Sequence, residues 1–175
     1  MDSIKDRLPA SITTDRLVLT TPTLAHVPDI ARLANNQRIY EVMARLPFPY
    51  TEADARFFVE EIVPSQDETC YAITRDGVFM GIVGLTYHGD SAPQLGYWLG
   101  EEYWGRGFAT EAACAVVAAA KAAGVPALRS RALVGNAGSR NVLRKTGFAE
   151  IAHETETINN LAGRQLVLMH LELDR

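Results

Sequence analysis

Gly96-Tyr-Trp-Leu-Gly-Glu-Glu-Tyr-Trp-Gly-Arg-Gly-Phe-Ala-Thr-Glu111 passes from an apolar strand pattern through a glycine-containing loop straight into an alanine-rich helix pattern. Gly105 and Gly107 can take backbone angles closed to other residues and let a ligand come close to the main chain. The unpaired amides at the start of the helix point toward whatever binds there, and a pyrophosphate suits them. A tight strand-to-helix connection with no ligand accounts for a Gly-x-Gly equally well. The residues themselves speak against two other phosphate-binding readings. A Walker loop needs Lys followed by Ser or Thr after its last glycine, and Phe108-Ala109-Thr110 has no lysine. A dinucleotide fingerprint needs a third small residue and a carboxylate about 20 residues further on, and Gly124 to Arg131 offers none.

On the N-terminal side of this stretch, Arg16 to Thr20 alternates around Leu17 and Leu19 and reads as a strand closed by Pro22. Thr23 caps a helix with Leu24, Val27, Ile30, Leu33 and Ala34 at helical spacing, ended by Asn35-Asn36, and a second short helix reaches Met43. Thr51-Glu-Ala-Asp54 is a capping box for a helix to about Ile62, with Pro64 beyond it. From Cys70 the period becomes two, and Asp76-Gly77 marks a hairpin between Tyr71-Ile73 and Val78-Thr86. On the C-terminal side, the expectation is a helix over Ala109 to Ala123, a strand over Leu128 to Val134 and a helix over Asn136 to Thr146, stopped by Gly147. A closing hairpin follows, Phe148 to Thr157 and Arg164 to Glu172, around the turn-rich Asn159 to Gly163.

The chain of 175 residues suits a single domain, residues 1–175 with a core over about 12–172. Hydrophobic residues at 47% and charged residues at 22% give it the profile of a chain with a packed core. The net charge of −4 argues against nucleic-acid or membrane-surface binding, which needs a cationic face. Cys70 and Cys114 lack metal-ligand spacing and are expected as buried free thiols. The polar N-terminus is no secretory signal, and the longest apolar stretch, ending at Lys121, is too short to span a bilayer, so a cytoplasmic protein is expected.

The Gly-x-Gly stretch resembles the pyrophosphate loop of the GNAT acetyltransferase superfamily, Gln/Arg-x-x-Gly-x-Gly/Ala, although Glu102 stands where that pattern has Gln or Arg. Tyr103 to Ala112 is similar to the variant Tyr-Trp-Gly-x-Gly-Tyr/Phe-Ala-Thr-Glu-Ala. A second motif of the same subgroup recurs as Asn136, Ser139, Val142, Leu143, Lys145, Gly147 and Phe148, and Thr14-Asp-Arg16-Leu-Val-Leu19 looks like the opening of the Rim-type branch, the ribosomal-protein N-terminal acetyltransferases and their relatives.

The resemblance implies an α/β (α+β) fold: a mixed, mostly antiparallel sheet of about six to seven strands, splayed at the cofactor cleft and flanked by about four helices. It also implies acetyl-CoA as co-substrate and no metal. The strand at Tyr97, Trp98 and Leu99 would pair with the pantetheine arm, and the amides of Gly105, Arg106, Gly107, Phe108, Ala109 and Thr110 would receive the pyrophosphate. Trp98 and Trp104 serve either this cleft or core packing, and Arg106 either screens phosphate or is solvated. Asn136 either bonds the cofactor arm or caps the following helix. Ser139 is the candidate acid for the departing thiolate, and Arg140, Arg144 and Lys145 could serve the adenosine phosphate.

Acetyl transfer needs a neutral amine, a polarised thioester carbonyl and an exit for thiolate. The backbone amide near Leu99 is the candidate oxyanion donor. His88, Glu154 and Glu156 are candidate bases, beside loss of the amine proton to solvent. The acceptor, a protein N-terminus such as that of a ribosomal protein, or a small-molecule amine, is expected between Ile39–Tyr50 and Asn159–Gly163. Tyr40, Phe48, Tyr50 and Phe57 either line its pocket or hold the early helices on the sheet. The protein is expected as a monomer or homodimer. A non-catalytic CoA-binding or ribosome-associated regulatory module is the alternative of a different class.

Overall fold

The computed structural model describes residues 2–174. Along the chain, α1 (Ile4–Arg7), β1 (Ser11–Thr13) and β2 (Val18–Thr20) are followed by α2 (Val27–Ala34), α3 (Gln37–Tyr40) and α4 (Glu52–Phe57). Then come β3 (Glu68–Arg75), β4 (Val78–Thr86), β5 (Gln94–Leu99) and α5 (Phe108–Ala122). The C-terminal part adds β6 (Ala127–Leu133), α6 (Ala137–Thr146), β7 (Ala149–Thr155) and β8 (Gln165–Glu172).

Local chemistry fixes these boundaries. Thr51 and Asp54 close the expected capping box at the start of α4, which runs on as a π-helical turn over Phe58–Ile62. Thr23 opens a 3-10 turn, Leu24–His26, before α2 takes over with Pro28 in its first turn, where the missing N–H costs nothing. Asp76 and Gly77, with φ of 50° and 80°, make the tight turn between β3 and β4. Gly147, at φ 111°, ends α6.

The strands form one sheet in the order β1-β2-β3-β4-β5-β6-β8-β7. All neighbours are antiparallel except β5 and β6. The sheet has eight strands rather than six or seven because β1, three residues long, is too short to show alternation. The six helices among the described residues exceed the expected four or so through two four-residue ones, α1, capped by Ser3 and Asp6, and α3, capped by Asn36.

Two cores cover the two faces. On one, Leu95, Leu99, Leu128, Ala132 and Val167 pack against Phe108, Ala112, Val116 and Ala120 of α5 and Leu143 of α6. On the other, Ala72, Ile82 and Trp98 pack against Ile30, Leu33 and Ala34 of α2 and Ala55 of α4. The run of alanines lets α5 lie close on the sheet. Cys70 is a buried thiol, which burial and then Glu68 push up to about 12. Cys114 corrects the expectation: it lies on the exposed side of α5. Among the described residues, no helix is long and apolar enough to cross a membrane.

Candidate functional site

The parallel strands β5 and β6 share one registered pair, Gln94 with Arg129, braced by Arg129 N–H donating to Pro93 O at 2.9 Å. Beyond it they part, whereas β4 stays registered with β5 from Thr86↔Gln94 to Gly81↔Leu99. A splayed opening results, as expected. The Gly100 N–H donates to Met80 O at 2.8 Å, and alternation along an antiparallel ladder then aims the main-chain groups of Leu99, Tyr97 and Leu95 away from β4. Leu95 O takes a hydrogen bond from the Ser130 hydroxyl at 2.8 Å, and Leu99 O one from the Trp104 indole at 2.7 Å. The N–H and C=O of Tyr97 and the N–H of Leu99 thus line the inner edge of the opening.

The two tryptophans separate. Trp98, turned to β4, has its main chain engaged there and its ring in the second core, which is a packing role. Trp104 is 43% exposed and braces the loop onto β5. Beyond it, Gly105 and Gly107 have φ of 77° and 80°, and Gly107 is the residue from which α5 starts. The intrahelical ladder begins with Glu111 N–H donating to Gly107 O at 3.1 Å, so the N–H groups of Phe108, Ala109 and Thr110 have no helical partner. A Cβ added at Gly105 would meet nothing within 4 Å, so the loop surface is open. Phe108 is buried, with the Arg16 and Arg75 guanidinium groups 4.3 Å and 5.3 Å from its ring centroid. Arg106 is exposed, and its carbonyl accepts from Arg16 at 2.9 Å.

Asn136 caps α6, its Oδ1 accepting from Ser139 N–H at 3.2 Å, which leaves its Nδ2 as a donor. The Ser139 hydroxyl lies 3.0 Å from the Tyr97 hydroxyl. Burial raises the Tyr97 phenol, against the lowering effect of Ser139, so it keeps its proton at neutral pH. Sequence reasoning placed Tyr97 by its main chain and missed this contact. The signal was its place on β5, where alternation turns its side chain to the α6 side. Arg140 and Arg144 are paired with Glu150, at 2.9 Å and 2.7 Å, while Lys145 is exposed on the last turn of α6.

Candidate base residues gather on the opposite face of the sheet. His88, two residues past β4, is held below its ordinary value by desolvation and then by Arg129, Arg45 and Arg131. Glu154 is exposed on β7, its Oε1 3.8 Å from Arg131 Nη1. Glu156, just past β7, is buried, and its Oε2 lies 2.9 Å from Arg131 Nη1 as an ion contact without hydrogen-bond alignment. Burial would raise its carboxyl, but the Thr157, Asn159 and Ile158 hydrogen bonds and the Arg131 charge hold it below the usual range.

The two segments expected around the acceptor do meet. Asn160 N–H donates to Ala44 O at 3.0 Å and its side chain to Leu46 O at 2.8 Å, above a small core of Leu133, Leu161 and Leu166. Tyr50 belongs to the second core, Tyr40 stacks on Phe48 at 5.4 Å, and Phe57 is 59% exposed. Glu102, the departure from the loop pattern, pairs with Arg32 at 3.0 Å, and Glu101 with Arg38 at 3.0 Å. Arg32, Glu101 and Glu102 border a cavity of about 420 Å³ on the α2 side, which holds none of the candidate catalytic residues. Among the described residues, no group of three or more His, Cys, Asp or Glu is placed to hold a metal.

The family model described as the acetyltransferase (GNAT) domain matches residues 16–149. Among solved structures, the microcin C7 self-immunity acetyltransferase MccE, in complex with acetyl-CoA and AMP, is similar at a TM-score of 0.83 and 20% identity, over 95% of this chain and 98% of its own. RimL, the ribosomal L7/L12 α-N-protein acetyltransferase in complex with coenzyme A, is similar at 0.81 and 18% identity, over 95% and 98%. The spermidine N-acetyltransferase of Vibrio cholerae, in complex with CoA and spermine, is similar at 0.78 and 16% identity, over 91% and 97%. No curated protein matches the chain.

Proposed function

Because the chain belongs to the GNAT acetyltransferase family, we propose that it moves the acetyl group of acetyl-CoA onto a primary amine by direct attack within a ternary complex. The observation that carries this reading is the opening between β5 and β6, edged by the Tyr97 and Leu99 main chain and adjoined by the Tyr97–Ser139 hydroxyl pair. Open amides from Gly105 to Thr110 are suited to the pyrophosphate, and the edge of β5 to the amide groups of the pantetheine arm. The similarity to structures holding acetyl-CoA or coenzyme A supports this assignment.

In the reaction, the amine nitrogen attacks the thioester carbonyl, a C–N bond forms and the C–S bond breaks. The Leu99 N–H can donate to the oxygen as it gains charge. The thiolate takes a proton from Ser139, whose hydroxyl is replenished through Tyr97. The attacking nitrogen loses its proton to solvent or to His88, whose depressed basicity leaves it neutral and able to accept. Glu156 is a poor base because Arg131 and the turn amides stabilise its charged form. The acceptor is a protein N-terminus or a small amine.

Thermal-shift measurements with acetyl-CoA, CoA, ATP and NAD test the reading. Acetyl-CoA and CoA are expected to raise the melting temperature while ATP and NAD do not, and the absence of any shift with either CoA species would remove it.

A further inference from the structure

Arg129 stands at the vertex of the opening, because its pairing with Gln94 is the single rung between β5 and β6. Leu128 and Ala132 alternate into the core beneath α5, so Arg129 and Arg131 face the other side of the sheet. Tyr97 and Ser139 lie on the α5 and α6 side. A donor substrate held there and an acceptor coming from the far face would meet at this vertex.

Among the described residues, two arginines of the far face are paired. Arg131 is paired with Glu156 and Glu154, and Arg45 with Glu68 at 3.1 Å. Arg129, half-buried, makes no ion pair among the described residues, and its Nε is fully buried with no hydrogen-bond acceptor. A buried Nε without an acceptor is costly, and the terminal nitrogens of Arg129, which are not fully buried and make no hydrogen bond among the described residues, are the edge of the fork that an oxyanion could reach. Arg45, Arg131 and His88 lie close enough to Arg129 to act on the same region, His88 feeling all three charges. Glu68, Glu154 and Glu156 balance the three arginines in number, so it is the unpaired guanidinium of Arg129, not a net positive charge, that favours an anionic group there.

We propose that the acceptor is a small primary amine that also carries an oxyanion, a carboxylate or a phosphate, and that Arg129 holds this oxyanion at the vertex while the amine reaches the thioester. The inference rests on the acetyl-transfer reading above. It separates this chain's substrate from polyamines, which carry no anion.

The test is acetyl-CoA consumption with matched acceptors: leucine against leucinamide, phosphoethanolamine against ethanolamine, and putrescine as a dication. The acid member of one pair is expected to exceed its neutral partner by at least about tenfold in kcat/KM, chiefly through KM. The pair that shows it decides between carboxylate and phosphate. Arg129→Gln should bring that ratio close to one, and Arg129→Lys should restore part of it. A thermal shift with acetyl-CoA verifies that both variants are folded. Equal or better turnover of the neutral or dicationic acceptors, or a ratio that survives Arg129→Gln, overturns the inference and leaves acetyl transfer standing. A panel in which acetyl-CoA binds but none of these amines consumes it overturns this inference, and acetyl transfer itself falls only if N-terminal peptides are inert as well.

Discussion

Ser139 and Tyr97 come from α6 and β5 and are joined by one hydroxyl contact of 3.0 Å. Replacing Ser139 by Ala removes the proposed acid and should lower kcat about a hundredfold, the lower range for general acid catalysis, with KM for acetyl-CoA little changed. Tyr97→Phe keeps the ring and removes only the hydrogen bond, so a smaller fall, about tenfold, is expected. Single-turnover kinetics isolate the chemical step. Full retention of that rate in both variants would exclude a proton path through the pair. Sequence reasoning could name Ser139 from its place in a motif. The partner could not be found the same way, since the two residues are 42 positions apart and only the crossing of β5 and α6 joins them.

The start of α5 is held by a strut from the turn between β1 and β2. The Glu111 carboxylate accepts from the Thr14 hydroxyl at 2.6 Å, the Arg16 N–H at 2.9 Å and Arg16 Nε at 2.7 Å. Arg16 reaches on to the Arg106 carbonyl and stacks on Phe108, so the strut braces the glycine loop itself. Burial would raise the Glu111 carboxyl, but the Thr14 and Arg16 bonds outweigh it and hold it below its ordinary value. A depressed carboxylate contributes stability that is fully present above its unfolded pKa and is lost as pH falls through the folded one. Glu111→Gln should therefore lower the melting temperature at about pH 7, and the gap to wild type should narrow in acid, below about pH 4. Thermal melts at the two pH values measure it, and a gap that is constant with pH would show that the charge contributes nothing. Both ends of the strut lie in motifs legible in the sequence. Their contact across 95 residues was not, because the turn that carries Arg16 reaches α5 only once the sheet has formed.

Across the whole molecule, long periodic elements were legible, while the short α1 and β1 were not. The hairpin at Asp76-Gly77, the capping box at Thr51 and the strand-loop-helix at β5 and α5 each carry their own turn chemistry, so local sequence decides them. The three residues of β1 become a strand only by pairing with β2, and the fates of Trp98 and Trp104 depend on which edge of β5 faces a neighbour. The opening was expected only through family resemblance, since splaying is a property of two strands distant in the chain. Close packing in the sheet centre gives a stability test at this scale. A Cβ at Gly84 would run into the Thr69 carbonyl on β3. Gly84→Ala should therefore cost about 1–3 kcal/mol and lower the urea midpoint, and an unchanged midpoint would mean that β3 and β4 can part there without loss. The single registered pair at Gln94 and Arg129, with the Ser130 to Leu95 bond beside it, makes this sheet two panels, β1 to β5 and β6 to β8, joined at one end and bridged by α5. Any molecule lying along the free edge of β5 then acts as a splint between the panels, so that filling the site and stiffening the protein are the same mechanical event.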